Sequence, residues 1–168
     1  LLGLAGEYVN GLVDLRRAHV LYAKANKPEH RRTVLDGIAA LYNRMGDFEQ
    51  AKRYYQQSIA QIEVAGRTRD LGIAQHNLGR VHENLKEWQQ ARHSFERALA
   101  LHESIHFTRG MAYAHRGLAS YLNGQGRPQA ALREVKTAET LSRNIVDARL
   151  KAQIHLQRGI AFRQLKRY

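Results

Sequence analysis

The chain has 168 residues, 43% of them hydrophobic and 25% charged, enough for one domain of ordinary size with a core of its own. It has no Cys, which excludes a disulfide scaffold and a thiolate zinc site, and it has no run of the ~18 apolar residues that a membrane span needs. The net charge of +12 is uneven: residues 1–107 carry 15 Lys+Arg against 12 Asp+Glu, and residues 108–168 carry 12 against 3, so the basic end calls for an acidic partner.

The chain opens "LLGLAGEYVNGLVDL", with neither an initiating Met nor a basic leader, and is expected to be a fragment of a larger protein. Set in rows of forty residues, its columns align. Residues 1–29 read as half a repeat, with Gly6, Tyr8, Gly11, Leu15 and Ala18 in register with the later rows. The first full repeat, about 30–70, carries Ile38, Ala39, Tyr42, Gly46, Phe48, Ala51, Tyr55 and Ser58. The second, 71–110, places Leu78, Gly79, His82, Lys86, Trp88, Ala91, Phe95 and Ala98 in the same columns. The third, 111–150, places Leu118, Ala119, Leu122, Gly126, Pro128, Ala131, Val135 and Ala138 there. Residues 151–168 supply half of a fifth, with Gly159, Phe162, Lys166 and Tyr168.

Spacings of 3, 4 and 7 within a row put residues on one helix face. The Gly46 and Gly126 columns divide each row into a helix A and a helix B. Asp47 followed by Gln50 reads as the N-cap of helix B, and Pro128 fits its first position, where a missing N–H costs nothing. Small columns mark close approach of helix backbones, and bulky columns supply the knobs that fill the grooves. Eight helices are expected, with no strand.

This pattern resembles the tetratricopeptide repeat, most clearly over residues 78–99, "LGRVHENLKEWQQARHSFERAL". The resemblance implies an all-α, right-handed superhelical solenoid of stacked antiparallel helix pairs, a single repeat domain over residues 1–168. The forty-residue period is similar to the long-helix variety found in bacterial signalling and regulatory proteins. Lys86 and Lys166 in place of the turn Gly, and His82 in place of an aromatic, depart from the pattern.

No phosphate loop, nucleophile elbow, dinucleotide fingerprint or HExxH is present, and no catalytic residue, metal or cofactor is expected. His102 and His106 stand i,i+4 at the end of a helix B, but no third ligand comes after them at a fixed spacing. The aromatic and basic run "KRYY" at 52–55 reads as a solvated helix face beside a core Tyr, and nucleic-acid binding by the basic C-terminal half is the subordinate alternative.

The resemblance implies that helix A positions about one and two turns from its start face a ligand. Those positions select Asn43 and Arg44 in the first repeat and His76, Asn77, Arg80 and Asn84 in the second. They select Tyr113, Arg116 and Asn123 in the third and Arg163 in the last helix. Amide side chains suit the backbone of an extended peptide, and Arg suits its carboxylates. The two-carboxylate clamp of chaperone-binding relatives is not matched: Asp36, Ala40, Tyr113 and Gly117 stand where its Lys, Asn and Arg would, and only Asn77 agrees. The expectation is a non-catalytic module that binds an acidic protein or peptide segment as the sensory part of a bacterial signalling protein. The alternative is the repeat domain of a multidomain enzyme, such as a diguanylate cyclase or histidine kinase, with catalysis outside these residues. The expected compartment is the cytoplasm, with a periplasmic sensor domain as the alternative. The last helix, about 149–165, carries Ile154, Ile160, Phe162 and Leu165 and is expected to be covered by a neighbour or to self-associate.

Overall fold

Each forty-residue row folds as two helices because its polar break carries the residues that end one helix and start the next. The computed structural model describes residues 2–166, with side chains from residue 6, and contains eight α-helices and no strand among them. The all-α, repeat-built fold expected from the columns is the one found. Tyr168, assigned to a bulky column, lies outside the described residues.

The helices group into two compact units, residues 1–67 and 68–168. The first holds α1 (Leu2–Lys24), α2 (Pro28–Met45) and α3 (Phe48–Val64). Gly46, at φ 82°, turns the chain between α2 and α3, a left-handed conformation that Gly adopts without a Cβ penalty. Asp47 Oδ1 accepts from the Gln50 backbone N–H at 3.1 Å, the N-cap read from the sequence. Leu35, Ile38, Ala39, Ala51 and Ile62 are at most 1% exposed and form the core of this unit. Arg16 donates to the Tyr42 hydroxyl at 2.6 Å, tying α1 to α2. Gly6 departs from its column: it lies inside α1 rather than at a turn.

The second unit holds α4 (Thr68–Asn84), α5 (Trp88–Ser104), α6 (Thr108–Gly124), α7 (Pro128–Ser142) and α8 (Ala148–Leu165). The A-type helices α4, α6 and α8 lie side by side; α5 packs on α4 and α6, and α7 on α6 and α8. Lys86 and Gly126 take φ 63° and 65° at the A-to-B turns, so Lys86 adopts the glycine-like turn of its column despite its Cβ, whereas Lys166 does not (φ −77°). His82, in the aromatic column, is buried, and its Nδ1 lies 2.5 Å from a Glu87 carboxylate oxygen.

Glycines set how closely these layers approach. Phe95 of α5 is wholly buried, and a Cβ on Gly79 of α4 or Gly117 of α6 would come within 2.7 and 2.6 Å of its ring. One helical heptad on, His102 occupies the matching place between Gly72 and Gly110. α5 therefore drives two knobs, seven residues apart, into two glycine seats built by its neighbours. Because α5 ends at Ser104, His106 falls in the turn after it, at φ 51°. The i,i+4 relationship expected for His102 and His106 on one helix is thereby corrected: one is a packed knob and the other a turn residue.

Candidate functional site

The same layer of A helices opens into a cavity of ≈ 300 Å³ within the second unit. From α4 come Arg69, Ile73, His76, Asn77 and Arg80, whose spacing of 4, 3, 1 and 3 places them on one face. α6 contributes Arg109, Gly110, Tyr113 and Arg116; α8 contributes Arg149 and Gln153; His102 and Phe107 close the floor. Among the described residues, five guanidinium groups thus line the cavity, and no carboxylate does.

Arg116 is the central group. It is only 6% exposed, and its Nη2 donates to Nε2 of His76, 3.1 Å away and also buried. Accepting at Nε2 puts the His76 proton on Nδ1. That Nδ1 and the Arg116 Nε are both buried without a hydrogen-bond partner, as are His102 Nδ1 and Gln153 Oε1. Burial first, then the charges of Arg116 and Arg80, hold His76 well below the usual histidine range, so the ring is neutral. Burial and then the charge of Arg80 lower Arg116 to about 10, with Glu83 opposing them. Burial pushes the Glu83 carboxyl up, while a hydrogen bond from Ser120 and the charges of Arg116 and Arg80 oppose that rise.

The rim is fixed by Asp147. Its Oδ1 caps α8 by accepting from Leu150 N–H at 3.0 Å, and its Oδ2 accepts from Arg109 Nη2 at 2.7 Å and from the Tyr113 hydroxyl at 3.0 Å. That one carboxylate joins the starts of α6 and α8. Arg69 lies over the Phe107 ring at 4.2 Å, a cation–π contact.

The two halves of the chain answer to the same helix-pair pattern in comparisons with known families. Residues 70–144 match one model described as tetratricopeptide repeat, and residues 34–61 match a second. The chain belongs to the tetratricopeptide repeat family. Solved structures of this tetratricopeptide type share its fold. BtubC (BKLC) from P. vanneervenii superposes with a TM-score of 0.73 at 16% identity, over 91% of this chain and 67% of that one. A single-substitution form of a candidate kinesin light chain from Podosopora anserina, built of nearly identical TPR-like repeats, gives 0.76 at 15% identity, over 98% and 81%. A second structure of the Podosopora anserina protein gives 0.74 at 15%, over 98% and 82%. No curated protein matches the chain.

Of the ten tetratricopeptide positions selected from the sequence, the structure brings His76, Asn77, Arg80, Tyr113 and Arg116 together in the cavity. Asn123 is buried away from it, donating from Nδ2 to the Gln157 carbonyl at 2.9 Å and to its Oε1 at 3.0 Å, so it fastens α6 to α8. Asn84 and Arg163 are exposed on α4 and α8, outside the cavity lining, and Asn43 and Arg44 lie in the first unit. Arg69, Arg109 and Arg149 were not among the selected positions. They form a column at the forty-residue period, the second residue of α4, α6 and α8, and that periodic Arg is the signal that finds them.

Proposed function

We propose that this chain is a non-catalytic recognition module whose second unit receives an acidic segment of a protein partner in the arginine-lined cavity. Tetratricopeptide repeats are protein-interaction modules, and no helix among the described residues is long and apolar enough to cross a membrane. The observation that carries the reading is Arg116: a guanidinium kept out of water, bonded to a neutral His76, facing a cavity without a lining carboxylate. Desolvated guanidinium groups are unfavourable until an anion reaches them, and the fork of Arg suits carboxylates. The forty-residue period, similar to that of bacterial regulators, supports the finer reading of a sensory part in a bacterial signalling protein, cytoplasmic by expectation.

An array of decapeptides rich in Asp and Glu, against the same peptides rebuilt with Asn and Gln, tests this reading. The acidic set is captured, and Arg80→Glu combined with Arg149→Glu abolishes capture with helical content unchanged. Capture that survives this double change would put the ligand on another surface. The exposed Leu156 and Phe162 of α8, 59% and 50% accessible, favour a second contact, self-association of the chain. Sedimentation of the chain against Phe162→Ser reads it: the wild type gains mass with concentration and the variant does not, and two identical monomers would rule it out.

A further inference from the structure

Recognition of an acidic segment asks only for negative groups; the geometry of the cavity narrows the chemistry, on the condition that the acidic-segment reading holds. Three helices, α4, α6 and α8, each place an Arg at their second residue, Arg69, Arg109 and Arg149, all lining one cavity. The first turn of a helix is where its dipole favours anions and disfavours cations, so these positions cost stability unless an anion sits among them. Arg109 is compensated by Asp147 and Arg69 rests on Phe107. Arg80 and, less strongly, Arg149 repel Arg116, and the one carboxylate that attracts it is Glu83, which is absent from the cavity lining. Three cations from three helices are therefore held within electrostatic reach of one another around a single space.

A carboxylate brings one negative charge and two oxygens to that space. A phosphomonoester brings about −1.5 to −2 and three strong acceptor oxygens, enough to engage forks from several Arg at once. Arg116 Nε–H and His76 Nδ1–H, buried donors without a partner on two lining residues, and the cations of Arg80 and Arg149 fit the larger charge. Ile73, Phe107 and Tyr113 supply an apolar wall on which the stem of the phosphorylated side chain can lie. We propose that the cavity is a phosphoryl site: it takes a phosphorylated side chain of a peptide, with Arg80, Arg116 and Arg149 around the phosphate and Ile73, Phe107 and Tyr113 against its stem.

Calorimetry on the full chain with four probes tests the proposal: a phosphotyrosine decapeptide, its Glu counterpart, phenyl phosphate and inorganic phosphate. The phosphopeptide binds at least about tenfold more tightly than the Glu peptide, and phenyl phosphate competes with it. Arg116→Lys, which keeps the charge and loses the fork, weakens the phosphopeptide about tenfold and the Glu peptide less. Equal affinity for the phosphopeptide and the Glu peptide overturns the phosphoryl site and leaves the acidic-segment reading standing. Inorganic phosphate binding as tightly as the phosphopeptide overturns the peptide carrier and makes the cavity a free-phosphate site. Binding of none of the four probes, with no capture of acidic decapeptides, overturns both readings.

Discussion

Arg116 and His76, forty residues apart in sequence, meet at 3.1 Å in the interior of the second unit, where the guanidinium donates to a neutral imidazole instead of a carboxylate. The pair joins α6 to α4 and faces the cavity, so one contact serves both packing and recognition.

Its neutrality has a pH signature. With the folded pKa of His76 held well below 6.5, the unfolded chain takes up the proton first as pH falls. Stability is therefore full above pH 6.5 and is progressively lost as pH drops from there toward the lower folded value. Burial and then the charge of Arg69 lower His102 as well, which adds to the same trend. His76→Gln, which keeps an acceptor for Arg116 and removes the titration, flattens the urea-midpoint profile below pH 6.5. An unchanged profile would mean that His76 is not the titrating group.

Gly117 makes a tight demand on packing. A Cβ there would press within 2.6 Å of the Phe95 ring, which is enclosed on all sides. Gly117→Ala destabilises by about 1–3 kcal/mol through overpacking, although Ala is otherwise the better helix former. Pairing it with Phe95→Leu recovers part of the loss in a double-mutant cycle; strictly additive losses would refute the seat.

Ser58 occupies the column that holds Ala98 and Ala138, wholly buried with its hydroxyl oxygen lacking a partner. Ser58→Ala removes that desolvated group at nearly constant volume and stabilises by about 1 kcal/mol in chemical denaturation. A loss of stability would show that the hydroxyl is satisfied in solution.

Lys86 holds φ 63° where its column elsewhere has Gly46 and Gly126. The Lys86 ammonium lies 5.3 Å from the Trp88 ring, a contact too weak to offset the left-handed strain fully. Lys86→Gly raises stability by about 1 kcal/mol, net of its entropic cost. No change would mean that the Trp88 contact balances the strain.

Much of the fold was legible because a helix pair repeats its demands at a fixed period. Ala51, Ala91 and Ala131, read as the close-approach column, are all fully buried, and Asp47 caps α3 as its spacing foretold. The glycine seats were harder to read, because Phe95 is enclosed by residues of two helices: Gly79 keeps to its column, while Gly117 stands two residues before the position forty beyond it. The site was half legible. The positions implied by the family resemblance included His76, Arg80 and Arg116, but position alone could not distinguish an amide facing a groove from Asn123, whose amide is spent on Gln157. Arg69, Arg109 and Arg149 hid in plain register, since first-turn positions are ordinarily solvated; all three are exposed, yet with α4, α6 and α8 side by side they line one cavity.

Amide chemical shifts of the isotopically labelled chain, titrated with an acidic decapeptide captured from the array, locate the surface that binds it. Perturbations concentrate in residues 69–80, 109–116 and 149–153 and fade as salt is raised. Perturbations centred on Asn43 and Arg44, or on α5 and α7, with the Arg116 and His76 signals unmoved, would put recognition outside the cavity.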